Sequence, residues 1–420
     1  MKLRFVFLLL FFAQILFNLV MKYLSYQGDP SPELHERILK YFTEADIQAG
    51  TEYDRRGFFV SILSSLIDFA IAGLFVFTPL AARLEALLES KMKSRFEFLR
   101  YVAVVFLFFS SFYLLDFLVS LPFSYYFGFV LEHEFEFSKM TFGDWVILKG
   151  KSFLLSWLFG SIGILIVSLV LKYLRKAWIF VMPGVSLAFG LIASVLYPVV
   201  ITPIFYDFHP IQEGSLKSKI LSLCDHAGIR VENVFVIEES KYSGHTNAYF
   251  TGWGENRKIF LYDTLIQNHT EEEVVSVLGH EIGHWVHNHQ LIDITLSTFE
   301  VFLLCLVLSY VFRKAKEEGS LTLKEFYSPS SFPFLFLVLS VIGTLTQPAS
   351  SSLSRKFEVE ADKEALVLTE DKKSFISTEI KLARDNKSRL DPHPWEVFYY
   401  HSHPTALERI EFAEAWKQSD

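Results

Sequence analysis

The sequence predicts a mostly α, polytopic membrane protein with about seven transmembrane helices and a small α+β region late in the chain. Three observations lead there. Of 420 residues, 51% are hydrophobic and 44 are Phe, and the mean hydropathy of +0.31 is a level soluble domains rarely reach. The apolar residues gather into seven runs, most of them near the roughly 20 residues a helix needs to cross a bilayer core. Two polar stretches, 206–293 and the tail after Pro348, are too long to be turns between spans.

The runs are Leu3 to Val20, Phe58 to Phe77, Val102 to Ser120, Phe153 to Leu171, Ala177 to Val199, Ile294 to Phe312 and Phe332 to Thr346. Lys2 and Arg4 ahead of the first run resemble a signal peptide, but "LFNLVMKYL" offers no small-x-small cleavage site, so a retained anchor is expected. Pro183, Pro198 and Pro203 predict a kinked or broken fifth span. The seventh run is short, which suits a less tilted or partly buried helix. Asp68, Asp116 and Glu300 fall inside predicted spans. An ionised group there is costly unless it faces protein or water. The net charge of −8 excludes a nucleic-acid partner in ordinary form. Cys224 and Cys305 lie in a polar and an apolar region respectively, so no disulfide between them is expected.

The first long polar stretch has its own pattern. "EGSLKSKILSLCDHAG" reads as an amphipathic helix closed by Gly228. "VENVFVI", "TNAYFTGW" and "RKIFLYDTL" read as three short strands. Thr270 followed by Glu271, Glu272 and Glu273 predicts a capped helix start, with acids at the positive end of the dipole.

That helix carries "HEIGH". His280 and His284, four apart, share one face, and Glu281 sits beside them. The pattern supplies two imidazole ligands to zinc and a carboxylate able to take a proton from an activated water. A plainer reading is a solvated helix end, with His287 and His289 as ordinary polar residues. A catalytic zinc needs a third protein ligand and an open position. "SRKFEVEADKEAL" offers Glu358, with Asp362 one turn on to fix a ligand imidazole's tautomer. Glu360 and Glu364 compete for the ligand role. Two spans separate His284 from Glu358, so the chain returns to the same membrane face.

These residues together resemble the integral-membrane CAAX prenyl proteases of the zinc metallopeptidase type. The matching blocks are "HTNAYFTG", "RKIFLYDTLI", "LGHEIGHW", "SRKFEVEAD" and "HSHPTALERI", in family order. The resemblance implies spans enclosing a large water-filled chamber with the metal site at one end. It implies one zinc per chain on His280, His284 and Glu358, with Asp362 behind them. It implies Glu281 as the catalytic base and His403 as a transition-state hydrogen-bond donor. Substrate is expected to add a strand along Asn247, Ala248 and Tyr249, with Arg409 also among the substrate-binding residues. The implied organisation is spans one to five in 1–205, a catalytic segment in 206–290, spans six and seven in 291–348, and a third-ligand segment in 349–420.

The expected activity is zinc-dependent peptide hydrolysis near the C-terminus of prenylated CAAX proteins. The expected partners are a peptide or protein substrate, possibly prenylated, and the lipid bilayer, with no nucleic acid. A quality-control or general peptide endopeptidase is the nearest alternative. A transporter or lipid carrier with a structural zinc is the alternative from another class. Glu281 discriminates against it, because a structural site has no need of a base beside the metal. The expected location is a bacterial inner membrane or, in a eukaryote, the endoplasmic reticulum.

Overall fold

The computed structural model describes residues 2–27, 31–231, 233–252, 257–319 and 321–417. The principal helices are α1 (Leu3–Gln27), α2 (Glu44–Phe77), α3 (Leu80–Lys91), α4 (Glu97–Tyr125), α5 (Phe142–Tyr173), α6 (Trp178–Leu196), α7 (Ser215–His226), α8 (Glu271–Val286), α9 (His289–Glu318), α10 (Phe332–Thr369), α11 (Lys372–Asp385), α12 (Pro394–Tyr400) and α13 (Ala406–Ala415). Among the described residues, seven helical stretches are long and apolar enough to cross a membrane. They coincide with the seven apolar runs and extend beyond them into polar sequence.

Capping explains several starts. Thr43 with Asp46, Thr141 with Asp144, Thr270 with Glu273 and Thr405 with Glu408 each form a reciprocal capping box at the head of α2, α5, α8 and α13. The fifth span behaves as its prolines require. Pro183 lies inside α6, and the helix loosens into a π-turn over Tyr197–Ile201 that holds Pro198.

The seventh span departs from expectation. The apolar run and the acidic segment carrying Glu358 form one continuous helix, α10, of 38 residues with Pro348 inside it. Half of its most apolar window is buried within the protein, whereas none of the fifth span's is. One side of α10 packs on neighbouring helices and another, with Ser340, Thr344 and Gln347, lines a cavity, which lets it carry a proline and polar residues at membrane depth.

The α+β region holds four strands: β1 (Phe208–Pro210), β2 (Asn233–Ile237), β3 (Ala248–Thr251) and β4 (Lys258–Tyr262). Three were expected; β1, only three residues long, was too short to read. The sheet order is β1-β2-β4-β3, with β2 and β4 parallel and the outer pairs antiparallel. β3 is thus an edge strand. Ile220 of α7, Ile259 and Leu261 of β4, and Leu278 and Ile282 of α8 close the core of this region. A separate core around Val105, Phe312, Phe332 and Phe334 joins the membrane helices.

Three cavities of about 530, 630 and 500 Å³ lie in series. The first reaches His403, and it shares Arg389, Tyr400 and His401 with the second. The second shares Asn18, Ser65 and Tyr400 with the third. Asp68 and Asp116 line the third beside Gln14 and Gln347, so these span carboxylates face a polar space. Glu300 is exposed on α9 and is not among the residues lining that cavity.

Candidate metal and catalytic site

α8 is fixed at its start. Thr270 Oγ1 accepts from the Glu273 N–H at 3.3 Å, and Glu273 accepts from the Thr270 N–H at 2.8 Å. Glu273 also accepts from Lys381 at 2.7 Å and Ser377 at 2.6 Å, which ties this end to α11. From there the helical period brings His280 and His284 to the face that meets α10. The two helices touch closely because Gly279 and Gly283 oppose Ala365 and Ala361. A Cβ at Gly283 would stand 2.7 Å from the Ala361 Cα.

This approach gathers three donor groups. The Nε2 atoms of His280 and His284 lie 3.1 Å apart. Glu358 Oε2 is 3.2 Å from His280 Nε2, and Oε1 is 3.4 Å from His284 Nε2. Ligand atoms at about 2.0–2.2 Å from a tetrahedral zinc stand roughly 3.3–3.6 Å apart, so this spacing fits a metal ion with little adjustment. Glu358 Oε2 is buried and makes no hydrogen bond among the described residues. Burial would lower the His280 imidazole, but the adjacent carboxylates of Asp362 and Glu358 push it up to about 10. The Glu358 and Asp362 carboxylates beside the two imidazoles supply the negative charge that a bound cation needs.

Each imidazole has a second partner. His280 Nδ1 lies 2.7 Å from Asp362 Oδ1. Arg409 Nε donates to Asp362 Oδ2 at 2.9 Å, and Arg409 Nη1 lies 2.7 Å from Glu379 Oε2. Arg409 was expected to bind substrate. Its side chain is 13% exposed, pairs with two buried carboxylates, and lines the first cavity with His403. Burial pushes the Glu379 carboxyl up to about 7, and the adjacent Arg409 offsets part of that rise. His284 Nδ1 lies 2.9 Å from His289 Nδ1, and His289 Nε2 lies 2.9 Å from Glu360 Oε2. Glu360 therefore serves His289 rather than competing for the metal, and Glu364 pairs with His287.

Glu281 projects beside the donor triad. It lines a 140 Å³ pocket with His284, Phe250 and Trp285, and burial raises its carboxyl above the ordinary value. His403 points Nε2 at Glu358 Oε2 from 3.3 Å while its side chain stays 60% exposed. Arg355 of α10 holds the preceding loop by donating to the carbonyls of Val397 at 2.8 Å and His401 at 2.5 Å.

The edge strand has a definite polarity. Tyr262 N–H donates to the Asn247 carbonyl at 3.0 Å, so Asn247 and Tyr262 form a hydrogen-bonded pair. Alternation along an antiparallel ladder then turns the backbone groups of Ala248 and Phe250 to the free edge. Ala248 N–H meets the Asn247 Oδ1 at 2.8 Å. The Ala248 side chain is buried in the core, and Tyr249 stacks on Phe260 at 5.1 Å. Of the expected strand residues, Asn247 alone has an exposed side chain. Phe250 went unread, although strand alternation from Ala248 could have found it.

What this fold and this donor set define is a multi-pass membrane metallopeptidase. The chain belongs to peptidase family M48. The model of that family matches residues 210–417. A model described as CAAX prenyl protease N-terminal, five membrane helices, matches residues 20–207. CAAX prenyl protease 1 of Saccharomyces cerevisiae is 30% identical, over 95% of this chain and 92% of its own length. A Bacillus subtilis protein named uncharacterized metalloprotease YhfN is 27% identical, over 92% and 88%. The crystal structure of S. mikatae Ste24p matches with a TM-score of 0.86 at 26% identity, covering 99% of both chains. The protein is a metalloprotease acting on peptide or protein substrates, and the transporter reading is set aside.

Proposed function

We propose that the protein is a zinc endopeptidase that cleaves near the C-terminus of prenylated CAAX proteins. The observation that carries the zinc assignment is the mutual 3.1–3.4 Å spacing of the His280, His284 and Glu358 donor atoms, with a carboxylate base, Glu281, lining a small pocket beside His284. The CAAX assignment rests on the names of relatives such as the yeast enzyme.

When bound, zinc supplies a Lewis acid that polarises a carbonyl and acidifies water. The chain's residues do the rest. Glu281 takes the proton of the attacking water at its carboxylate and delivers it to the leaving amine. Its raised pKa brings it nearer the operating range for both steps. His403 Nε2 donates to the oxygen on which charge develops. Asp362 accepts the Nδ1 proton of His280 and so keeps Nε2 free for the metal. Arg409 positions Asp362 and also lines the cavity that reaches His403. An extended peptide pairs with the Ala248 carbonyl and the Phe250 backbone as an added strand, the Ala248 N–H being held by Asn247 Oδ1. Residues 1–205 and 291–348 supply the spans, and 206–290 with 349–420 supply the catalytic groups. The host membrane is the endoplasmic reticulum in a eukaryote or the inner membrane in a bacterium.

The test is cleavage of a farnesylated C-terminal peptide and its unmodified counterpart by purified protein in proteoliposomes, with zinc content measured in parallel. We expect one zinc per chain, loss of cleavage on chelation, and preference for the farnesylated peptide. Equal cleavage of both peptides would replace the CAAX reading with a general endopeptidase. Stoichiometric binding of another metal would replace the zinc assignment.

A further inference from the structure

His289 and Glu360 take no part in the chemistry described above, yet they stand directly behind a ligand. We infer that they form a positioning relay that holds His284 in the ring orientation and tautomer a metal requires, an inference that rests on the zinc reading above.

The relay begins with a change of chain direction. Asn288 adopts a left-handed conformation (φ 56°, ψ 31°) between α8 and α9, which folds the first residue of α9 back over the end of α8. His289 is thereby only 3% exposed. Its ring stacks on Phe357, with centroids 4.2 Å apart and planes within 12°. Phe357 immediately precedes Glu358, so the same stack sets the ring against the helix that supplies the third donor.

The protons can be assigned by elimination. His284 turns Nε2 toward the donor cluster, so a neutral ring carries its proton on Nδ1. That proton faces His289 Nδ1 at 2.9 Å, which must therefore accept. The remaining proton of His289 lies on Nε2, where it donates to Glu360 Oε2 at 2.9 Å. Each ring nitrogen has one role and no two protons collide. The carboxylate polarises His289, which accepts more strongly from His284 and makes its Nε2 a better donor to metal. A buried histidine that merely filled space would need neither the alignment with His284 nor the outer carboxylate.

Substitutions separate the two roles. His289→Phe keeps the ring volume and the stack on Phe357 but removes the acceptor. His289→Asn loses the stack but places an amide oxygen near the Nδ1 position. Zinc affinity of the purified full-length protein is measured by competition with a chromophoric chelator, and the cobalt-substituted protein gives a visible spectrum of the same site. We expect His289→Phe to weaken zinc binding about 10- to 100-fold, and His289→Asn to recover at least half of that loss on a logarithmic scale. Glu360→Ala, at a surface position that does not disturb the core, should weaken binding about 3-fold or more, and Glu360→Gln less. The cobalt spectrum should shift in His289→Phe and return toward wild type in His289→Asn. Zinc affinity unchanged in both His289→Phe and Glu360→Ala would overturn the relay. So would His289→Asn binding as weakly as His289→Phe while both melt at the wild-type temperature. Wild-type protein that binds no zinc would instead refute the metal reading, and the relay with it.

Discussion

The two imidazoles of the donor cluster are held in unlike ways. His280 leans on Asp362, which is 1% exposed and backed by Arg409 and Glu379. That arm is a chain of buried, mutually paired ionisable groups, Asp362, Arg409 and Glu379. His284 leans on a second imidazole, and the last member of its arm, Glu360, has a side chain 55% exposed. One task, holding a ring still, is met by a buried network of paired groups on one side and by a neutral ring ending at solvent on the other. The difference teaches where the site is brittle. Removing one member of a buried network leaves its partners short of a hydrogen bond, whereas a carboxylate at the surface is replaced by water at little cost.

The largest effect should come from breaking the buried arm. Asp362→Ala removes the acceptor of His280 and one of the two carboxylates on Arg409, which keeps Glu379, with an expected loss of about 2–3 kcal/mol in stability together with loss of metal. Glu360→Ala, its counterpart in the wet arm, should change the melting temperature in detergent only slightly. Equal destabilisation by the two would erase the contrast. Next, Glu281→Gln should leave both arms and the metal in place and lower turnover about 10³-fold, whereas His280→Ala removes metal and turnover together. Metal content measured alongside peptide cleavage separates the two, and wild-type turnover in Glu281→Gln would remove the base from the mechanism. His403 belongs to neither arm. His403→Ala should lower kcat by about 10²-fold with little change in KM, and a change confined to KM would make it a binding residue instead.

The smallest effect is one of pH. The base works as a carboxylate, and burial raises its pKa above the ordinary 4.5. Activity is therefore present above the raised value and lost as pH falls through it. The acidic limb of kcat/KM, measured with metal buffered, should lie above 4.5; a limb at or below that would mean Glu281 is better solvated than its pocket suggests.

Much of this was legible in the sequence for simple reasons. His280, Glu281 and His284 declare themselves through helical spacing, and Thr270 marks where the helix begins. Glu358 and Asp362 stand out as an i, i+4 pair two spans later, and the family resemblance sets them above Glu360 and Glu364. The rest depends on contacts between segments far apart in the chain. His289 looks like an ordinary polar residue until Phe357 and Glu360 are beside it. The pairing of Arg409 with Glu379 and Asp362 is likewise invisible until those segments meet. The unity of α10 was hidden because its apolar run stops at Thr346 and Pro348 follows, and a proline reads as a boundary unless neighbouring helices enclose it. Gly283 is silent in the "HEIGH" pattern, yet its missing Cβ lets α8 reach α10.

The single helix α10 carries a mechanical consequence. Glu358 is attached to the same rod that crosses the membrane, 26 residues from Phe332, or roughly 39 Å at the helical rise. A rotation of about 2° around the far end of a lever of that length sweeps its tip through more than an ångström. Bilayer thickness and lateral pressure, which set how such rods tilt, would thereby act on the spacing of the His280, His284 and Glu358 donor atoms.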